Sequence, residues 1–437
     1  MQTEYSYQDD GDIASLVTVT EQGLLNFDYA YDGNGNCVRK RGEKYQNEYT
    51  YDRMNRLVGA VQDGKEEKYA YDLVGNRLKK ESVQGTESYH YNAKNQLTHI
   101  HNGENTLRYL YDKQGNLLEE QGKTRRKQYS YDAANRQVSI ASAEADGAIG
   151  KLLQSNRYDG EGLRYETEEN GKIIHFLFDR GELAQENQEG EETSYVRGRS
   201  PIALNRGGKA RNYFVQDEMG STLLLLDQDH EIRKSYRYGA FGNILQETGD
   251  LPNRLMYTGQ MYDGAAVQYY LRARFYNPAI GRFMQEDTYC GDGLNLYAYC
   301  ANNPVIYYDP SGYGLCPIEK MNPGATSEGE SAAPTVDYNG EKRPVYRGGN
   351  DFTVGSNEVK INPETGDVKT SHGVSLDVNP ETVLKFGGAY KIESLPEGLK
   401  IIQRGARLEH FEIVPAYEMP LETFQKLLNL IGVSGPY

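Results

Sequence analysis

His372 and His410 are two of the chain's seven histidines, and both lie in its last quarter with Arg404 and Arg407 nearby in sequence. Two imidazoles and a cation are the groups that cleave RNA without a metal, as base and acid around the 2′-hydroxyl. A second series shares the same stretch. Val345-Tyr346-Arg347-Gly348-Gly349 puts an arginine at the end of a strand-like run, just before glycines. Ser375 sits in the strand-like run Val374–Val378, and Glu412 alternates with Phe411 and Ile413. Glu412 therefore points away from those two apolar side chains, toward solvent or a cleft. From residue 318 onward there are 12 Lys and Arg against 17 Asp and Glu, net −5. An RNA cutter favours a basic face, so this balance ranks RNA cleavage second. The four cysteines, Cys37, Cys290, Cys300 and Cys316, form no CxxC pair. Neither a disulfide framework nor a metal site is expected from them.

The elements that carry these residues are mainly strands. The chain has 437 residues, 38% of them apolar, with 37 Tyr, 11 Phe, no Trp and 47 Gly. Tyrosine fits a half-wet pleated surface, ring in and hydroxyl out. Tyr-Asp recurs every 20 residues, with starts at Tyr31, Tyr51, Tyr71, Tyr91, Tyr111 and Tyr131. The fourth copy reads Tyr91-Asn92. Each copy has a second Tyr two positions earlier, on the same strand face. The turns alternate: YDGNGN, YDLVGN and YDKQGN against YDRMNR, YNAKNQ and YDAANR. Asp opens each turn, and Gly or Asn supplies the residue tolerant of positive φ. One hairpin cannot bury its own face, so neighbouring copies must stack. The pattern continues loosely to Tyr236-Arg237-Tyr238-Gly239. No apolar run is long enough to span a membrane as a helix. No signal peptide is visible in MQTEYSYQDDGD, and the net charge of −15 disfavours broad nucleic-acid binding.

These repeats, with Asn212–Thr222 (NYFVQDEMGST), Tyr257-Thr258-Gly259-Gln260, Tyr269–Pro278 (YYLRARFYNP), Gly281–Asp287 (GRFMQED), Leu294–Val305 and Tyr307–Gly314 (YYDPSGYG), resemble the Rhs/YD-repeat family of polymorphic toxins. The resemblance implies a YD-repeat β-hairpin shell over 1–256 and an Rhs-associated core over 257–317. After these, a linker over 318–340 and a small α+β effector domain over 341–437 are expected. A strand residue covers about 16 Å² of sheet, so the shell region supplies about 5,000 Å². A shell around a toxin of about 120 residues needs about 8,000 Å². A partial cocoon, or a piece of a longer shell, is therefore expected.

The resemblance further implies self-cleavage by an aspartyl-protease-like pair, Asp287 and Asp309, with Arg274 orienting or neutralising a carboxylate. The expected bond lies just past Asp309-Pro310-Ser311-Gly312, near Tyr313 or Gly314. Thr288 stands where the family usually has Pro, and Tyr313 where it usually has Leu. In the effector, the order Arg347, Ser375, Glu412 resembles ADP-ribosyltransferase toxins. That likeness implies NAD as substrate, with Arg347 gripping the pyrophosphate, Ser375 steadying the nicotinamide-ribose cleft and Glu412 stabilising the cationic centre. The alternatives are an RNase using His372, His410 and Arg404, or a non-enzymatic binding or adhesion module. An immunity protein, the remaining shell or delivery machinery, and secretion or delivery by a non-classical route are implied as well.

Overall fold

The structure is a computed structural model describing residues 2–8, 11–20, 23–43, 45–144, 150–198, 200–208, 211–288, 294–318, 335–338, 341–348, 352, 354, 359–363, 367–369, 373–384, 388–396, 398–403, 407, 409–416, 419–429 and 431–434. It divides into two units, Met1–Ala325 and Thr326–Tyr437.

In the first unit, 24 described strands form one antiparallel meander from Gln2–Tyr7 to Ile244–Gly249, each pairing with its successor. The sheet is open among the described residues: Gln2–Tyr7 pairs only with Ile13–Thr20, and Ile244–Gly249 only with Ile232–Tyr238. Each Tyr-Asp corner is built alike. The carboxylate of Asp32 accepts hydrogen bonds from the backbone N–H of Asn34 at 2.9 Å and Asn36 at 3.0 Å. Asp52, Asp72, Asp132 and Asp159 repeat the pattern, as does the Asn92 amide oxygen. The left-handed position alternates between glycine and asparagine: Gly35, Asn55, Gly75, Asn95, Gly115 and Asn135. On each return strand one extra residue, Val38, Val58, Leu78, Thr98, Leu118 or Val138, bulges opposite the step into the second tyrosine.

Neighbouring corners interlock through their alternating types. Asn36 Nδ2 donates to Asn55 Oδ1 at 3.0 Å, Asn76 to Asn95 at 2.8 Å, and Asn116 to Asn135 at 3.0 Å. The second type passes the chain of bonds on through its arginine. Arg56 Nη1 donates to the Asp72 carbonyl at 2.6 Å, and Arg136 to that of Asp159 at 3.3 Å. In the fourth copy Asn92 and Gln96 replace the Asp–Arg ion pair with an amide pair at 2.7 Å.

The first tyrosine of each pair, such as Tyr89, Tyr109 and Tyr129, is buried in the core, and the second is partly buried. Their hydroxyls depart from the expectation that they point outward. Tyr51, Tyr91, Tyr158 and Tyr238 donate to the backbone carbonyls of Cys37, Arg77, Gln137 and Thr222 at 2.7–2.9 Å. Tyr69 and Tyr89 donate to Glu67 and Glu87. A buried hydroxyl without a partner is costly, which favours this internal pairing; the Tyr131 hydroxyl is an exception, buried with no hydrogen-bond partner among the described residues.

The second sheet consists of Met261–Asp263, Gln268–Leu271, Arg274–Asn277 and Arg282–Phe283. It belongs to the same compact unit as the meander. Its outgoing segment is stitched to the corners. Arg282 donates to Asn76 Oδ1 and the Asn95 carbonyl, Asn302 to the Gly75 carbonyl, and Asn303 to Asn36 Oδ1 and the Asn55 carbonyl. Tyr297 donates to the Gly115 carbonyl at 2.9 Å. The wholly buried Arg164–Asp263 pair, 2.5 and 2.9 Å, fixes the other side, with Arg254 at 3.3 Å.

The second unit is mixed α and β. Its six-stranded sheet runs, in spatial order, Leu399–Gln403, His410–Pro415, Val374–Asp377, Tyr346–Gly348, Ala389–Ser394 and Gly432–Ser434. Helices span Pro380–Val383, capped by Asn379, and Leu421–Leu428, which buries Phe424 and Leu428. Part of the expected linker is structured: Thr335–Tyr338 pairs with Glu341–Pro344 as a hairpin. Residues 319–334 of that linker lie outside the described residues.

Removing one partner of a buried ion pair strands the other charge. Asp263→Ala is expected to cost about 3–5 kcal/mol, read from the urea midpoint. The paired change Arg164→Met with Asp263→Leu should recover most of that loss.

Candidate active site

Arg274 is the hub of the site in the second sheet. Its Nη2 lies 2.6 Å from Asp287 Oδ2 and 3.6 Å from Asp309 Oδ2, and all three side chains are buried. Nη1 donates to the Leu296 carbonyl at 3.1 Å, and Nε donates to the Gly312 carbonyl. The guanidinium stacks on the Phe283 ring, 3.5 Å from its centroid. The three residues expected to act together are therefore brought together.

Asp309 faces two ways. Its Oδ1 accepts from the Ser311 and Gly312 amides at 3.0 and 2.7 Å, while Oδ2 turns to Arg274. Burial pushes its carboxyl above the ordinary aspartate range, and Arg274 and the amides offset only part of that. Asp287 has the closer guanidinium contact, which favours its charged form. Gly312 has φ +78°, and a Cβ there would fall 2.6 Å from the Leu271 carbonyl oxygen and 2.8 Å from the Arg274 nitrogen. No other residue fits this position without displacing backbone. A cavity of about 20 Å³ opens beside Asp287 and Asp309, lined also by Arg274, Phe283 and Leu315. That volume suits one water.

Three contributors were not legible as site residues. Arg272 Nη1 donates to the Pro310 carbonyl at 2.6 Å, so two arginines hold the 309–312 turn. Arg272 and Arg274 stand two apart in sequence, which was the available signal. Phe283 and Leu315 gave no signal, because their roles come from packing. Leu315 lines the cavity two residues beyond Tyr313.

In the second unit, Arg347, Ser375 and Glu412 lie on three adjacent strands. Ser375 pairs directly with Glu412, and Arg347 Nη1 donates to the Ser375 carbonyl at 3.3 Å. Glu412 is buried, accepts from the Gly373 N–H at 3.1 Å and lies 3.4 Å from His410 Nε2. Asp377, paired opposite His410, binds Arg407 at 2.9 Å. Val374, Leu376, Phe411 and Ile413 pack into the core, so by alternation Ser375, Asp377, His410 and Glu412 share the other face. His372 and Arg404 lie outside the described residues.

A long antiparallel repeat sheet laced to an internal core segment defines a YD-shell protein. The chain belongs to the Teneurin YD-shell family, which matches residues 1–142 and 40–305. A tRNA3(Ser)-specific nuclease, WapA of Bacillus spizizenii, is 32% identical over 176 residues, 37% of this chain and 8% of its own length. The toxin protein Tse5 of Pseudomonas aeruginosa is 33% identical over 107 residues, 24% of this chain and 8% of its own. The chain thus spans about 8% of the length of these curated relatives. Among solved structures, the TcdB2-TccC3-Cdc42 crystal structure aligns over 73% of this chain and 21% of that one, with TM-score 0.38 and 18% identity.

The raised Asp309 carboxyl carries a sign. Unfolded aspartate titrates near about 3.9; folded Asp309 keeps its proton to higher pH. Above that unfolded value the folded state holds more protons, so this group's contribution to stability falls as pH rises. Asp309→Asn should therefore gain stability relative to the parent between about pH 4 and 7, measured as a difference in urea midpoints.

Proposed function

We propose that the chain is the C-terminal part of a Rhs-type toxin, whose shell core cuts its own backbone to free the C-terminal unit. The observation that carries this is one buried guanidinium holding both carboxylates and the carbonyl of Gly312. In this reading Asp287, with the closer Arg274 contact, is the base, and Asp309, whose carboxyl burial raises, is the acid. Asp287 takes a proton from a water in the cavity as that water's oxygen bonds to the carbonyl carbon, and Asp309 donates its proton to the carbonyl oxygen. As the intermediate collapses the carbon–nitrogen bond breaks, the departing amine takes the proton held on Asp287, and Asp309 regains a proton from the hydroxyl of the intermediate. The turn held by Arg272 and Arg274 supplies a fixed carbonyl, as orientation requires. The cut falls between Gly312 and Cys316, which includes the expected position and extends to Leu315 at the cavity wall.

For the released unit, RNA cleavage is the reading favoured by the His410–Glu412 contact on the polar sheet face, with Arg407 nearby on Asp377. The names of the WapA relatives, which describe tRNA nucleases, support the same substrate class. The second reading, NAD as substrate, rests on Arg347, Ser375 and Glu412 standing side by side. An immunity protein and a delivery route outside the chain belong to either reading.

Purified chain should yield a C-terminal fragment of about 120 residues, the length beyond a cut in this turn, whose first residue lies between Tyr313 and Cys316 by N-terminal sequencing. Asp309→Asn and Asp287→Asn should each leave the chain intact, and cutting that persists in both would rule out the pair. Cleavage should slow as pH rises through the Asp309 titration, because the acid is lost.

For the effector, total RNA degradation should fall by about 10²–10⁴ in His410→Ala. Release of nicotinamide that is lost in Glu412→Gln, with RNA untouched, would select the second reading.

A further inference from the structure

Three of the chain's seven histidines meet on one outward patch of the repeat sheet, far in sequence from the cleavage centre. His90 lies on the strand Gly85–Tyr91, and His99 and His101 on Leu97–Asn102. The bulge at Thr98 sets the register so that His99 stands directly opposite His90. His101, two residues on, projects from the same face. Leu97 and Ile100 meanwhile go to the core. The His90 and His99 rings stack with centroids 4.2 Å apart, and His101 meets both edge-on at 5.4 and 4.8 Å. One ring nitrogen from each lies within 4.8 Å of the others.

A tetrahedral cation with ligand bonds of about 2.0–2.1 Å holds its nitrogens about 3.3 Å apart. Small rotations of exposed or half-exposed rings close that difference. Two rings already have an orienting partner. His99 Nδ1 is 3.1 Å from Thr98 Oγ1, and His101 Nδ1 is 2.9 Å from Thr106 Oγ1. With Nδ1 donating to each hydroxyl, Nε2 is left with its lone pair to bind a metal, the usual outer-sphere device for histidine ligands. Thr98 Oγ1 itself donates to the His90 carbonyl at 2.9 Å, which ties this partner to the opposite strand.

Arg108 is paired with His99 from the next strand. The Arg108 charge works against any cation held by charge alone, so calcium and magnesium, which take oxygen ligands, do not fit.

We propose that His90, His99 and His101 form a zinc-class site on the outer face of the shell, with three imidazole nitrogens and a solvent molecule as fourth ligand. Such a site clamps two strands of the repeat sheet and keeps one position open. It does not depend on the cleavage or effector readings.

The test uses the full chain stripped with chelator, titrated with Zn²⁺ by calorimetry and with Co²⁺ by visible absorption. One equivalent is expected, with the intense bands of tetrahedral cobalt. His90→Asn, His99→Asn and His101→Asn should each weaken zinc binding by about ten-fold or more, while His175→Asn keeps the parent affinity. Because the patch is outward, unfolding midpoints measured in chelator should match the parent in all four. Zinc affinity unchanged in the three variants, or lost in His175→Asn, overturns the site.

Discussion

A carboxylate that accepts two backbone amides at a turn is the interaction on which the shell rests. At Asp32 the side chain holds the N–H groups of Asn34 and Asn36, and the same geometry returns along the chain. It satisfies donors that no ladder partner reaches, and it fixes where the left-handed residue falls. The bulge follows on the return strand, and the bulge decides which side chains enter the core. From there the corner amides form a row that the core segment reads with Asn295, Asn302 and Asn303. Arg274 can hold two carboxylates only because this lacing brings strand 274–277 and the 309–312 turn to one place. The centre is thus a product of accumulated local corners.

The corners were legible because their chemistry is local. Asp, Gly and Asn at fixed offsets state the turn, and a spacing of twenty states the stack. The face of each tyrosine pair followed from alternation, but the depth of the rings did not, so the hydroxyls of Tyr51 and Tyr91 were expected in solvent. Hydrogen bonds from Asn303 to Asn36 and Asn55 join residues more than two hundred positions apart, and no periodicity encodes them. Asp287, Asp309 and Arg274 were named through a resemblance in motif, and their convergence needed coordinates. Arg272, Phe283 and Leu315 depend on packing and stayed hidden. The Thr335–Tyr338 hairpin was missed because its surroundings are rich in Gly, Ser, Ala and Pro and its strands are only four residues long. The patch of His90, His99 and His101 was not read from the sequence, because His90 joins the other two only through a one-residue bulge.

Burial gives the two candidate sites different characters. Around Arg274 the carboxylates are nearly dry; burial raises the Asp309 carboxyl, and the guanidinium makes its closer contact with Asp287. On the polar face of the second unit, Ser375 is exposed and Glu412 is covered. His410 lies between these extremes, next to the carboxylate. The first arrangement suits a reaction carried out once, on the chain's own turn. The second suits repeated encounters with a substrate that must come and go.

Alternation of the corner types has a consequence for how such a sheet is lengthened. The asparagine of one type is received by the asparagine of the other, and the arginine of the second type is received by the next carbonyl of the first. Two first-type corners side by side would set the asparagine donor against a glycine, and two of the second type would leave the asparagine acceptor unanswered. The inheritable building block is therefore a pair of copies, and lineages should gain or lose repeats in twos. The fourth copy, with its amide pair in place of an ion pair, marks how far one member can drift while its place in the pairing is kept.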